Sequence, residues 1–144
     1  MKRVDVRVGT GDVFVWPIVA FIWRTVDVER TVERMGLPAE SIDDDEILGA
    51  RGVLVRPPDG PPVVVLEPAT EGRLAAALAR DDEGESGFYT APAGGIDEAS
   101  AFGSTVVAEG RGPFGWSALV SDVGGGPRSR FVIVVAPGAG TIDE

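Results

Sequence analysis

Residues 63–91, VVVLEPATEGRLAAALARDDEGESGFYTA, decide how the chain is read. Residues 63–66 form an apolar run of strand length, closed by Glu67-Pro68, because proline has no N–H with which to continue a ladder. Residues 71–80, EGRLAAALAR, have high helix propensity, and Leu74 and Leu78 lie four apart on one face. The acidic residues 81–85 read as a solvated connection, and 88–91 as a short strand. The stretch thus reads as strand, helix, acidic connection and strand.

The flanking sequence carries the same order twice. Val4, Val6 and Val8 alternate with charge, a half-buried strand, and residues 14–25 read as a longer one. Asp27 is placed to cap a helix whose apolar face is Val28, Val32 and Met35, stopped by Gly36 and Pro38. Residues 41–46 read as an edge strand or a loop. A strand is expected over 47–55, kinked at Gly49 and Gly52, and Asp59-Gly60 turns into 63–66. In the second half a short helix over 97–102 precedes strands near 104–108, 116–120 and 131–136, with a turn at 124–127. Glu29 and Glu98 are 69 residues apart, as are Pro68 and Pro137. The spacing and element order predict an internal duplication of strand–helix–three strands. Two such units, each with one apolar face, bury those faces against each other or around a shared cavity.

The expected fold is therefore α+β: two tandem βαβββ modules in a curved mixed sheet around a cavity, with an extra N-terminal strand. The expected organisation is one domain over 1–144. It comprises an extra strand (1–15), a first module with its linking helix (16–84), a second module (85–137) and a tail (138–144).

Composition narrows the chemistry. The chain has no cysteine and no histidine, which removes thiolate chemistry and the commonest transition-metal ligand. A formal net charge of −10 argues against nucleic acid and anionic membranes as partners, and is compatible with a neutral or cationic small molecule. The most apolar run, residues 13–23, is only eleven residues long and contains Pro17, whereas a membrane span needs roughly 20. The run reads as a buried strand, and the chain as cytoplasmic.

Three stretches together resemble the vicinal oxygen chelate superfamily, which includes glyoxalase-like and bleomycin-resistance-like proteins and dioxygenases. Residues 63–91 look like its connection between modules, 25–36 like the helix after the first strand, and 110–122 like the penultimate strand. The resemblance covers about residues 16–137. Members with metal use four ligands, one from each of four strands. Carried onto this chain, those positions fall at Ala20, Val64, Gly87 and Ile133, none of which can bind a metal. The resemblance thus implies no cofactor. Members pair modules within or between chains, so it also makes a homodimer one arrangement to expect.

Strand alternation from Ala20 puts Ile18, Ile22 and Arg24 on the cavity side, with Val19, Phe21 and Trp23 facing the helix. Likewise Gly87 brings Tyr89 inward, Val64 brings Leu66, and Ile133 brings Val135. The expected ligand-binding residues are Ile22, Arg24, Leu66, Tyr89 and Trp116. Against this, tryptophans are more often core, Arg24 could pair with Asp27 in solvent, and Tyr89 could simply pack. The acidic residues 43–46 lack calcium-loop spacing and read as a solvated charge run. Gly124-Gly-Gly126 joins two strands and is not a phosphate loop.

Two functions stay open. The first is a metal-independent protein that binds a small organic molecule in an apolar, aromatic-lined cavity. The second is a metal-independent isomerase, lyase or cyclase. There Arg24 would stabilise negative charge, Tyr89 donate a proton, and Glu67 or Glu109 act as base. A degenerate copy kept for protein–protein contact is a third possibility. The balance leans away from an enzyme.

Overall fold

The apolar run of residues 13–23 becomes most of one long strand, and the sheet is assembled around it. The computed structural model describes residues 3–7, 13–101, 105–121 and 130–136. β1 (Arg3–Arg7) pairs antiparallel with the first part of β2 (Val13–Arg24), Val4 opposite Trp16. After β2 the chain enters α1 (Val28–Met35). The capping carboxylate of Asp27 accepts from the Arg30 amide at 3.1 Å, as the sequence predicts, and Gly36 ends the helix. β3 (Ala39–Ser41), β4 (Ala50–Val55) and β5 (Val63–Pro68) complete the first unit. α2 (Arg73–Asp81) leads into the second: β6 (Gly84–Thr90), α3 (Gly95–Ala101), β7 (Thr105–Gly112), β8 (Gly115–Ser121) and β9 (Phe131–Val135).

The strands lie in the order β3-β4-β5-β2-β6-β9-β8-β7. β2 and β6 meet antiparallel at the centre, while β2–β5 and β6–β9 are parallel. Reading outward from the central seam, each half presents the first, fourth, third and second strand of its own unit. The duplication in sequence is therefore a duplication in topology. The fold is α+β, two tandem βαβββ modules forming one curled half-barrel of mixed sheet.

Alternation along the strands sorts side chains between the two faces. On the convex side, α1 covers Val53, Val55, Val63, Val65 and Trp23. A second convex cluster combines Trp16, Val120 and Val134 with Ile96 of α3. The concave face gathers Ala20 and Ile22 of β2, Val64 and Leu66 of β5, Tyr89 of β6, Leu119 of β8, and Ile133 and Val135 of β9. α2 contributes Leu74 and Ala77 to the same cluster.

Several boundaries differ from expectation, β7 among them, which runs to Gly112 rather than ending near 108. The strand expected over 47–55 begins only at Ala50, because residues 46–49 turn and Gly49 sits in the left-handed region at φ +67°. Of the two readings of 41–46, the loop holds from residue 42 on, and the edge strand is Ala39–Ser41. β6 starts at Gly84, so the acidic connection runs directly into the sheet, where Gly84 and Glu85 pair with Arg24 and Trp23. The expected turn at 124–127 lies outside the described residues.

Gly87 pairs with Phe131 where β6 meets β9. Its φ is +110°, and a Cβ there would lie 1.9 Å from the Phe131 carbonyl oxygen. Gly87→Ala is therefore expected to cost about 3 kcal/mol or more, as overpacking and backbone strain add. Urea unfolding monitored by circular dichroism measures this, and a loss below about 1 kcal/mol would mean the two strands separate easily.

Candidate functional site

The concave face is the natural place to look for a site, since every strand of both modules except β3 contributes to it or borders it. Among the described residues it is filled rather than open. Ala20, Ile22, Val64, Leu66, Tyr89 and Ile133 all have 0% exposure. The segment between β3 and β4 supplies part of the filling, with Ile47 and Leu48 packed in the cluster and Ile42 against it. Phe114, in the β7–β8 turn, stands edge-on to Tyr89 with ring centroids 5.1 Å apart.

One polar contact lies inside this apolar surround. The Tyr89 hydroxyl donates to Asp45 Oδ2 at 2.6 Å, and Asp45 Oδ1 accepts from the Leu48 amide at 2.9 Å. Asp45 is 1% exposed. Sequence reasoning missed it: within a run of four acids it read as solvated, and only Tyr89 gave any signal. The difference arises because Asp45 closes its own turn, exchanging both backbone hydrogen bonds with Ala50 at 2.9 and 3.0 Å. That turn aims one acid inward while Asp43, Asp44 and Glu46 stay exposed. Desolvation pushes the Asp45 carboxyl above its ordinary value, and the charge of Glu46 adds to this. The Tyr89 hydroxyl and the Leu48 and Ile47 amides pull the other way without prevailing. Burial, with the adjacent carboxylate and its hydrogen bond, drives the Tyr89 phenol well above its ordinary value.

The other expected site residues are dispersed. Ile22 and Leu66 do face inward and are buried in the cluster. Arg24 is on the same strand face as Ala20 but four residues on, roughly 13 Å along the strand. It does not pair with Asp27 in solvent. It is 6% exposed and clasps the α2–β6 turn, donating to Asp82 O at 2.6 Å, Glu85 O at 3.0 Å and Ser86 Oγ at 3.0 Å. Glu67 accepts from the Val28 amide at 2.8 Å and from Arg51 Nε at 2.9 Å, so it tethers the start of α1. Glu83 does the same from the neighbouring turn: the Val26 amide, the Thr25 hydroxyl and Arg30 hold it below the ordinary carboxylate range. Trp116 does not reach the concave face. Alternation sends Ser117 and Leu119 inward and leaves Trp116 on the other side, 46% exposed, its indole N–H donating to Glu109 Oε1 at 3.0 Å. Of the five expected ligand residues, Ile22, Leu66 and Tyr89 are brought together, while Arg24 and Trp116 lie elsewhere.

The positions that bear metal ligands in metal-binding members of the superfamily can be tested against the ion's chemistry. Ala20 lies opposite Tyr89, Val64 opposite Ile22, and Gly87 opposite Phe131, with Ile133 beside Tyr89 on β9. None of these four offers a side-chain donor. The nearby carboxylate, Asp45, has both oxygens engaged by hydrogen bonds. The residues present do not fit a divalent ion. Among the described residues no group of three or more acidic side chains is suited to one either.

No family model and no curated protein matches the chain. Solved structures do. A Streptomyces coelicolor methylmalonyl-CoA epimerase in complex with 2-nitronate-propionyl-CoA superposes with a TM-score of 0.64 at 18% identity, covering 86% of this chain and 96% of the epimerase. A Mycobacterium tuberculosis methylmalonyl-CoA epimerase gives 0.62 at 14% identity, over 81% and 85%. A hypothetical protein from Bacillus halodurans gives 0.62 at 14% identity, over 81% and 91%.

The chain has one tyrosine, so its phenol can be titrated without interference. The alkaline absorbance change at 295 nm should come well above the pH of an exposed tyrosine. In Asp45→Asn it should move back toward it, because the charge and the carboxylate acceptor are gone while burial stays. An ordinary midpoint in the wild type would place Tyr89 in solvent. The sign of the Asp45 effect on stability follows from its raised value. Between the unfolded and folded values the native state holds the extra proton, so stability falls as pH rises through that window. Asn keeps a partner for both Leu48 and Tyr89 and does not titrate. Asp45→Asn should match or exceed the wild-type Tm at pH 7, with the gap closing as pH is lowered through the raised Asp45 value.

This strand order, the paired modules and the solved neighbours agree: the chain has the fold of the vicinal oxygen chelate superfamily.

Proposed function

We propose that the chain binds a small organic molecule at the concave face without a metal ion, as a binding protein. The observation that carries this reading is the character of the four central positions. Ala20, Val64 and Ile133 belong to an apolar surface with one buried phenol, and with Gly87 they are the positions near which the resemblance would put a metal-dependent member's donors. Such a surface, with a single polar handle, suits an organic ligand better than an ion. The net charge of −10 favours a neutral or cationic ligand. The reading also includes no nucleic-acid partner, a homodimer and a cytoplasmic location.

A second reading rests on a specific contact. Tyr89 and Asp45 form a phenol–carboxyl couple, and burial raises the Asp45 carboxyl above its ordinary value, which makes it a stronger base than an exposed carboxylate. In a metal-independent isomerase, lyase or cyclase, Asp45 would be the base and Tyr89 the proton donor. Tyr89 keeps the donor role expected of it, Asp45 takes the place of Glu67 as base, and Arg24 has no part, since Glu67 and Arg24 are held in backbone-tethering roles.

Thermal denaturation with a panel of neutral and cationic aromatic compounds, with and without excess chelator, tests both. A ligand at a hundred times its Kd should add about 2.7 kcal/mol, roughly 5–10 °C in a chain of this size, whether or not chelator is present. A shift abolished by chelator sinks metal independence. Chelator-resistant turnover that falls at least about 100-fold in Asp45→Asn selects the enzyme over the binder.

A further inference from the structure

Residues 42–49 fill the concave face although they belong to no strand or helix of either module. Their sequence, IDDDEILG, mixes three large apolar side chains with four consecutive acids. Ile47 and Leu48 enter the interior cluster with 6% and 0% exposure, and Ile42 packs against it. The tip also crosses from the first module to the far edge of the second. The Glu46 amide donates to the Arg111 carbonyl of β7 at 2.9 Å, and the Arg111 amide donates to Glu46 Oε1 at 3.1 Å. With the Tyr89–Asp45 bond, these tie the tip across the mouth of the half-barrel. Behind the tip, Leu48 O accepts from the Leu74 amide at 3.0 Å and Gly49 O from the Ala69 amide at 2.8 Å, which anchors the base of the segment to the start of α2.

We propose that residues 42–49 are a gate: they occupy the small-molecule site as an internal plug, and the tip must draw back from β7 and Tyr89 for a ligand to enter. This rests on the small-molecule reading above and specifies how that site is regulated. Opposing forces act on the same short segment. Burial of Ile47 and Leu48 holds it in. Burial of the Asp45 carboxylate beside Glu46, and the repulsion within residues 43–46, push it out. Tyr89 and the Leu48 amide make the inserted state tolerable without removing its cost. An incoming apolar molecule replaces what Ile47 and Leu48 fill and frees the carboxylate to water, so it shifts the population toward the open form.

The chain's composition makes the test clean. It has no cysteine, and a Cβ on Gly110 would lie 3.5 Å from the Cβ of Glu46, within disulfide range. The double variant Glu46→Cys with Gly110→Cys can therefore lock the tip to β7 when oxidised and release it when reduced. Its one tyrosine, labelled as 3-fluorotyrosine, gives a 19F resonance at the site itself. With the neutral aromatic N-phenyl-1-naphthylamine as probe, the reduced protein should show a displaced Tyr89 resonance, and oxidation should slow association at least tenfold. Equal rates and equal displacement in both forms overturn the gate while leaving the small-molecule reading intact. No displacement in either form, nor in the roomier Leu48→Ala variant, sinks both. The unaltered chain provides a check that depends on no variant. The Glu46 and Leu48 amides should exchange with deuterium faster than those of Val64 and Leu66, and simultaneous exchange of all four only with global unfolding would overturn the gate.

Discussion

The antiparallel seam between β2 and β6 is the contact on which everything else depends. It joins the two modules into one sheet, with Ile18 opposite Thr90, Ala20 opposite Tyr89 and Phe21 opposite Phe88. Each module alone is a four-stranded layer with an apolar face and nothing to cover it. Once the seam forms, the twist of the sheet turns both faces inward and produces the concave cluster. The seam also sets the register that brings Tyr89 to the centre of that cluster. A slip of one residue would send Tyr89 to the convex side and Phe88 inward.

A concavity made this way has to be filled by something. In this chain the filling comes from within: Tyr89, Phe114, and Ile47 and Leu48 from the β3–β4 connection. The consequence for electrostatics is local and strong. Bringing Leu48 inside brings the turn that precedes it, and with that turn comes the Asp45 carboxylate. Its two oxygens are met by a phenol and an amide rather than by a cation, so the site keeps an ionisable group where an apolar side chain would fill space at less cost.

Much of the fold was legible because it is written in period and repeat. The 69-residue spacing of the Glu and Pro landmarks, and the strand–helix–strand connection of residues 63–91, correspond to paired modules around a seam. Most of the inward set on β2, β5, β6 and β9 followed from alternation counted from the four positions the family resemblance supplied, although Val19, expected to face the helix, packs against the concave cluster beside a register shift in β2. What escaped was set by tertiary contacts with no local signature. Asp45 reads like Asp43 and Asp44, and only the turn closed on Ala50 distinguishes it. Arg24 has the parity of an inward residue, yet its length carries the guanidinium to the carbonyls of the α2–β6 turn. Trp116 was placed by its chemistry, as an aromatic near a site, when its parity beside inward-facing Ser117 and Leu119 already assigns it outward.

The distribution of acids extends this reasoning. Glu67, Glu83 and Asp27 all serve amides at the start of α1, where a helix terminus offers unsatisfied donors and favours negative charge. Those carboxylates are explained by the backbone they serve. Asp45 is not at such a place: its Leu48 amide lies in its own turn, and its other partner, Tyr89, is a side chain that could pack as phenylalanine with no unmet need of its own. A purely structural interior would be served by phenylalanine in place of Tyr89 and an apolar residue in place of Asp45, with no polar atom to satisfy. A phenol and a carboxyl facing each other at the centre of the concave face are therefore more than packing alone requires, which is why the proposed site is centred on them.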